Sequence, residues 1–168
     1  EHLVLCGSKN YPSSKPFFEA QSTSPRDYMN ASTTRDWTAY TLASRIDSDY
    51  WTLLELYLDA CFYPLLRRES FESEAVRIEN GNYQGVVYNE MCGAMAQSAR
   101  VMRDLVGRAL FPGSSYAFNS GGDPAALVQL RLEDLQKYHT SHYTPQNACF
   151  YSSGDLEIGF LLERLDAV

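Results

Sequence analysis

Gly85-Val86-Val87-Tyr88-Asn89-Glu90-Met91-Cys92-Gly93, running on to Ala109-Leu110-Phe111, is the stretch on which the fold turns. Apolar residues recur at Val87, Met91, Met95, Met102, Leu105, Val106 and Ala109, and this spacing predicts one long helix. On such a helix Val86, Val87, Glu90, Ala94 and Val101 share a narrow angular sector, so Glu90 is expected on or beside a buried face. A buried carboxylate is costly unless it is paired, hydrogen-bonded or bound to a metal. The bland alternative is a partly exposed Glu beside the core. What decides between them is whether the rest of the chain supplies a partner.

The chain has 168 residues, enough for one domain with a real core, and its 45% hydrophobic and 21% charged residues are those of an ordinary globular protein. A net charge of −7 argues against a nucleic-acid partner and is compatible with a basic peptide ligand. No apolar run approaches the length of a membrane span. Glu1-His2-Leu3-Val4-Leu5 has neither the basic start nor the cleavage pattern of a targeting segment. The four cysteines, Cys6, Cys61, Cys92 and Cys149, form no C-x-x-C pair, and Cys61 and Cys149 read as buried thiols.

Working outward, Gly7-Ser8 stops the first element and Pro16–Ala20 starts a short helix that polar Gln21–Pro25 breaks. Tyr28–Ser32 and Asp36–Leu42 read as strands of a hairpin, with Thr33-Thr34-Arg35 between them. Asp47-Ser48-Asp49 is expected to cap a helix over Tyr50–Phe62, and Glu69–Glu79 to form another short helix. Asn80-Gly81-Asn82 is a tight turn, and Pro112-Gly113 closes the long helix. Asn119–Pro124 is a loop without the signature of a phosphate site. Leu132–Tyr143 is a helix, Asn147–Ser153 a strand and Leu156–Leu165 a final helix. The elements do not alternate strand–helix–strand, which predicts an α+β fold rather than a doubly wound one.

Histidine is scarce, at His2, His139 and His142 only. His139 and His142 are three apart on a helix with no third ligand near, and read as structural. Glu1-His2 is what remains of the motif H-x-x-E-H when it is cut after its second x. That motif sets two histidines on one helical face around a zinc ion, with the glutamate beside them as general base and a distant glutamate as third protein ligand. Glu90 suits the last role.

These residues and several longer runs resemble the pitrilysin/insulinase family of zinc metallopeptidases, and most closely its presequence protease/falcilysin-like branch. The matching runs are Glu1–Ser8, Tyr11-Pro12, Pro16–Phe18, Met29–Ala31, Tyr57–Ala60, Phe62–Arg67, Gly85–Met91, Asn119–Pro124 and Tyr143–Ala148, in the family's order and over nearly the whole chain. The resemblance implies a single partial catalytic domain over residues 1–168, lacking its N-terminal part. It would be an α+β fold with a partly antiparallel sheet and helices packed on one face, as in the mitochondrial processing peptidases. It implies Glu1 as general base, His2 and Glu90 as Zn2+ ligands, and Met29, Asn30, Ala31 and Ser32 as the edge strand that pairs with substrate. The implied activity is endoproteolysis of short unstructured peptides such as cleaved presequences, in a mitochondrion, another organelle lumen or the cytosol. The implied partners are peptide substrates and the remaining domains of the peptidase.

Four departures carry expectations of their own. The first histidine of the motif would lie three residues before Glu1, so an isolated chain is expected to be inactive. Ala20–Arg26 is polar where family members run an apolar helix, and the link from Glu79 to Gly85 is short. The chain covers only part of a catalytic half, so exposed apolar surface and an open sheet edge are expected. Glu74 and Glu79 read as surface charges. The rival reading is a catalytically silent relative that serves as a structural or partner-binding subunit.

Overall fold

The computed structural model describes residues 1–168. It is α+β, with eight α-helices and two antiparallel two-stranded sheets, and it separates into two compact units.

The first unit comprises Glu1–Leu3, Asn30–Thr41 and Leu66–Leu132. It holds α3 (Arg68–Glu74), the short hairpin β3 (Arg77–Glu79) and β4 (Asn82–Gln84), α4 (Val86–Met95), α5 (Ser98–Leu110) and α6 (Pro124–Leu127). The expected helix over Glu69–Glu79 therefore stops at Glu74, and Arg77–Glu79 is a strand. The reason is the turn that follows. Asn80 and Gly81 both have positive φ, 50° and 78°, which is the backbone of a two-residue hairpin turn and pairs Glu79 with Asn82.

The long predicted helix is two helices, broken at Ala96-Gln97, where Gln97 is extended at φ −91°, ψ 115°. Burial explains the break. Met91 is 2% exposed in α4, and Asp104 and Gly107 are the buried residues of α5. On one straight helix Met91 and Asp104 would point about 140° apart at 100° per residue. The chain buries both only by changing direction between them. The predicted sector is corrected by the same fact, for α4 buries Met91 alone, while Glu90 and Val86 lie in solvent.

The second unit comprises Val4–Met29, Leu42–Leu65 and Glu133–Val168. Its core is α2 (Asp47–Phe62), which buries Leu53, Leu56, Tyr57, Leu58 and Ala60. The helix begins at Asp47 itself, and Ile46 precedes it without a side-chain cap, so Asp47-Ser48-Asp49 is the first turn rather than a cap. Asp47 and Asp49 still lie at the positive end of the helix dipole. Phe17 of α1 (Pro16–Thr23) packs its ring 6.1 Å from that of Tyr57. This helix runs three residues past Ala20, where the hydroxyls of Ser22 and Thr23 donate to the carbonyls of Phe18 and Glu19.

Gly7, at φ 107°, turns the chain so that Leu65 N–H reaches its carbonyl, and Ser8 bridges to Pro64. Asp59, 6% exposed, is satisfied by Asn10, whose backbone N–H and side-chain amide donate to its two oxygens at 2.7 and 2.8 Å. The unit also holds α7 (Leu132–His142, from Glu133 on) and α8 (Ile158–Asp166). Asn147–Ser153 is not a strand; no strand lies beside it to complete a ladder. Cys149 is exposed, whereas burial pushes the Cys61 thiol up to about 12. His139 donates its Nε2–H to the Cys61 carbonyl (2.7 Å) and stacks on Tyr143, and His142 stacks on Tyr138.

The other hairpin, β1 (Tyr28–Thr33) with β2 (Thr38–Ala43), is antiparallel to itself as predicted, and neither strand pairs with any other. No helix is long and apolar enough to cross a membrane.

Candidate active site

Glu1 and His2 belong to the first unit, and each is tied to a different element of it. Thr33, the last residue of β1, donates its hydroxyl to Glu1 Oε2, and Thr33 is itself within 3.2 Å of the Thr38 hydroxyl. His2 opens a 3-10 turn over His2–Leu5, and its Nδ1 lies 3.1 Å from Glu74 Oε2 at the C-terminus of α3. Glu74 holds the His2 pKa above its ordinary value by this hydrogen bond, against desolvation, which pulls the other way. The expectation of Glu74 as a surface charge is corrected: its side chain is 18% exposed. Glu79 is a surface charge, paired with Arg77 across 2.6 Å.

Glu90 is exposed on α4 and takes part in none of these hydrogen bonds. What fixes its helix is backbone contact. A Cβ on Gly85, the residue before α4, would lie 2.2 Å from the Ala75 carbonyl oxygen. Ala75 directly follows Glu74, so the end of the helix that bears the His2 partner abuts the start of the helix that bears Glu90. At its other side α4 meets the 119–124 loop, where a Cβ on Gly121 would strike Met91 Sδ at 2.2 Å.

Met29, Asn30, Ala31 and Ser32 all lie on β1, whose one strand partner is β2. Met29 is buried, while Asn30 and Ser32 are exposed and Ala31 is half-buried. The turn of this hairpin is anchored by residues that sequence reasoning did not single out. Arg35 reaches Asp104 at 3.5 Å, and Asp36 accepts a 2.5 Å bond from the Tyr116 hydroxyl. Asp104, 6% exposed, also accepts from Asn119 at 2.9 Å. No spacing rule in the sequence links Arg35, Asp104 and Asn119; their only signal was Asp104 as the single acidic residue of a helix that also carries Arg100, Arg103 and Arg108. Farther along, Gln21 donates to the Met29 carbonyl at 3.3 Å, so polar Ala20–Arg26 supports the start of β1 by hydrogen bonding.

The donors suit a zinc ion in kind. An imidazole whose Nδ1 is held by a carboxylate meets a metal through Nε2, the arrangement in which zinc-binding histidines are usually found. Carboxylate oxygen is an ordinary zinc donor. No group of three or more His, Cys, Asp and Glu side chains is gathered into a metal-binding cluster, so the set does not close within these residues.

No protein-family model matches the chain. It is 41% identical, over 94% of its length, to a mitochondrial presequence protease of Schizosaccharomyces pombe, and 38% identical, over 98%, to that of Mus musculus. In both cases it spans about 17% of the relative's length. Among solved structures, pitrilysin matches 85% of the chain at a TM-score of 0.62 with 20% identity, and the match covers 14% of that protein. With this sequence identity along nearly its whole length and this shared fold, the chain belongs to the pitrilysin/insulinase family.

Proposed function

We propose that residues 1–168 form a partial catalytic domain of a zinc metalloendopeptidase that hydrolyses short unstructured peptides such as cleaved presequences. The observation that carries this reading is the pairing of Glu1 and His2 in one unit, each fixed by a separate contact, Glu1 by Thr33 and His2 by Glu74. His2 and Glu90 would hold Zn2+, together with a histidine that the family resemblance puts three residues upstream of Glu1. Zinc, when bound, would supply Lewis-acid polarisation of the peptide carbonyl and of water.

The chain's own residues do the rest. Glu1 takes a proton from water and returns it to the leaving amine, and the Thr33 hydroxyl keeps its carboxylate beside the end of β1. Substrate joins β1 along the side opposite β2 as an extended strand, held by main-chain hydrogen bonds at Met29–Ser32 that do not read side chains. This suits a peptidase with broad sequence tolerance. The relatives are named as mitochondrial, which supports a mitochondrial location over another organelle lumen or the cytosol. The remaining domains of the longer peptidase complete the substrate chamber.

The test is a longer chain that includes the residues upstream of Glu1. It is expected to bind zinc and cleave short peptides. Glu1→Gln is expected to keep zinc and lose about 10²–10⁴-fold in cleavage rate. Glu90→Gln is expected to lose zinc by elemental analysis. Equal zinc in wild type and Glu90→Gln removes Glu90 from the ligand set, and undiminished cleavage by Glu1→Gln removes Glu1 as the base. Absence of both zinc and cleavage in the longer wild-type chain favours a silent subunit.

A further inference from the structure

We propose that Glu74 is a positioning residue for the metal site: it fixes the His2 ring as the Nδ1–H tautomer and so presents Nε2 to the metal. The inference rests on the peptidase reading for the metal, but not for the hydrogen bond.

Three features of α3 and its surroundings point to this role. First, Glu74 Oε2 lies 3.1 Å from His2 Nδ1 across 72 residues of sequence, so the contact is made by the fold and not by the local chain. Second, four carboxylates lie in this stretch, and Glu69, Glu72 and Glu79 are exposed whereas Glu74 is turned inward at 18% side-chain exposure. Glu74 is the last residue of α3, the helix end where the backbone dipole disfavours a negative charge. A carboxylate turned inward there needs a compensating donor, and His2 supplies it.

Third, the backbone under Glu74 is fixed from both sides. Phe71, Ala75 and Val76 are each no more than 9% exposed, and Ala75 is closed against Gly85. The same contact sets the start of α4, so one rigid joint governs both the His2 partner and the helix of Glu90. A carboxylate on Nδ1 sets the tautomer, aims the ring and raises the basicity of the other nitrogen, and loss of such a partner typically weakens metal binding by about 10–100-fold.

Two readouts test the proposal. In the 168-residue chain with ¹⁵N-labelled histidine, at about pH 9 where imidazoles are neutral, His2 is expected as the Nδ1–H tautomer, with His139 and His142 as internal references. Glu74→Ala is expected to shift His2 to mainly Nε2–H, while Glu74→Gln, which keeps an acceptor oxygen, retains Nδ1–H. In the longer chain, zinc affinity measured by chelator competition is expected to fall about 10–100-fold in Glu74→Ala, less in Glu74→Gln, and not at all in Glu72→Ala. An unchanged His2 tautomer in Glu74→Ala, or a zinc affinity there within about twofold of wild type, overturns the proposal. If the tautomer shifts as expected but no longer chain binds zinc, the peptidase reading fails and the Glu74 assignment of the His2 tautomer stands.

Discussion

A histidine held on a carboxylate responds to pH in a way that is readable without any metal. His2 has its pKa raised above 6.5, chiefly by the Glu74 hydrogen bond. The folded state therefore keeps the proton more firmly than the unfolded chain. This contribution to stability is fully present below the unfolded value of 6.5 and is lost as pH rises through the higher folded value. In metal-free protein, denaturant midpoints measured across that window are expected to fall with rising pH, and Glu74→Ala is expected to flatten that slope. Metal competes with the same proton, so zinc binding is expected to strengthen as pH rises. Glu1 is a different case. Its assignment as base rests on position and on the Thr33 contact, so only the kinetic variant tests it.

Helices α4 and α5 show how elements that are correctly foreseen can be wrongly joined. The periodicity from Val87 to Ala109 is helical, and both halves are helices. The break follows from Asp104, whose burial depends on Arg35 and Asn119, residues far away in sequence. Turning α5 this way puts Met102, Leu105, Val106 and Leu110 in solvent, between 46% and 65% exposed. The joint between α3 and α4 has its own test. Gly85→Ala sets a methyl within 2.2 Å of a backbone oxygen, where no flexible side chain can give way. It is expected to destabilise the chain by about 1–3 kcal/mol in denaturant titration, and to weaken zinc binding in the longer chain by moving α4. By contrast, the tight turn at Asn80-Gly81 was legible because its local chemistry alone demands positive φ. Asn147–Ser153 was misread for the opposite reason, since a strand needs a neighbour that a local pattern does not reveal.

At the scale of the molecule, each unit buries a small core while large apolar side chains remain outside, among them Ile78 at 71%, Tyr151 at 89% and Leu110 at 65% exposed. The chain spans about 17% of the length of its presequence protease relatives. A concrete consequence is that Leu110→Gln should change the stability of the 168-residue chain by no more than about 0.5 kcal/mol, as for other surface positions. In solution the unsubstituted chain is expected to bind a hydrophobic dye and to self-associate with concentration, and Leu110→Gln to reduce both. A large loss of stability in Leu110→Gln instead means that the α5 face is already covered.

By itself the sequence determined the α+β class, most of the helices, the β1–β2 hairpin and the family, because these rest on local periodicity, turn chemistry and runs of matching residues. It also named Glu1, His2 and Glu90, through the order of a motif. Only the tertiary structure decided that α4 and α5 are separate, that Glu90 faces solvent and that Glu74 turns inward to His2. Each of these depends on contacts between residues distant along the chain, Asp104 with Arg35, Met91 with Gly121 and His2 with Glu74, and no local pattern encodes such a meeting.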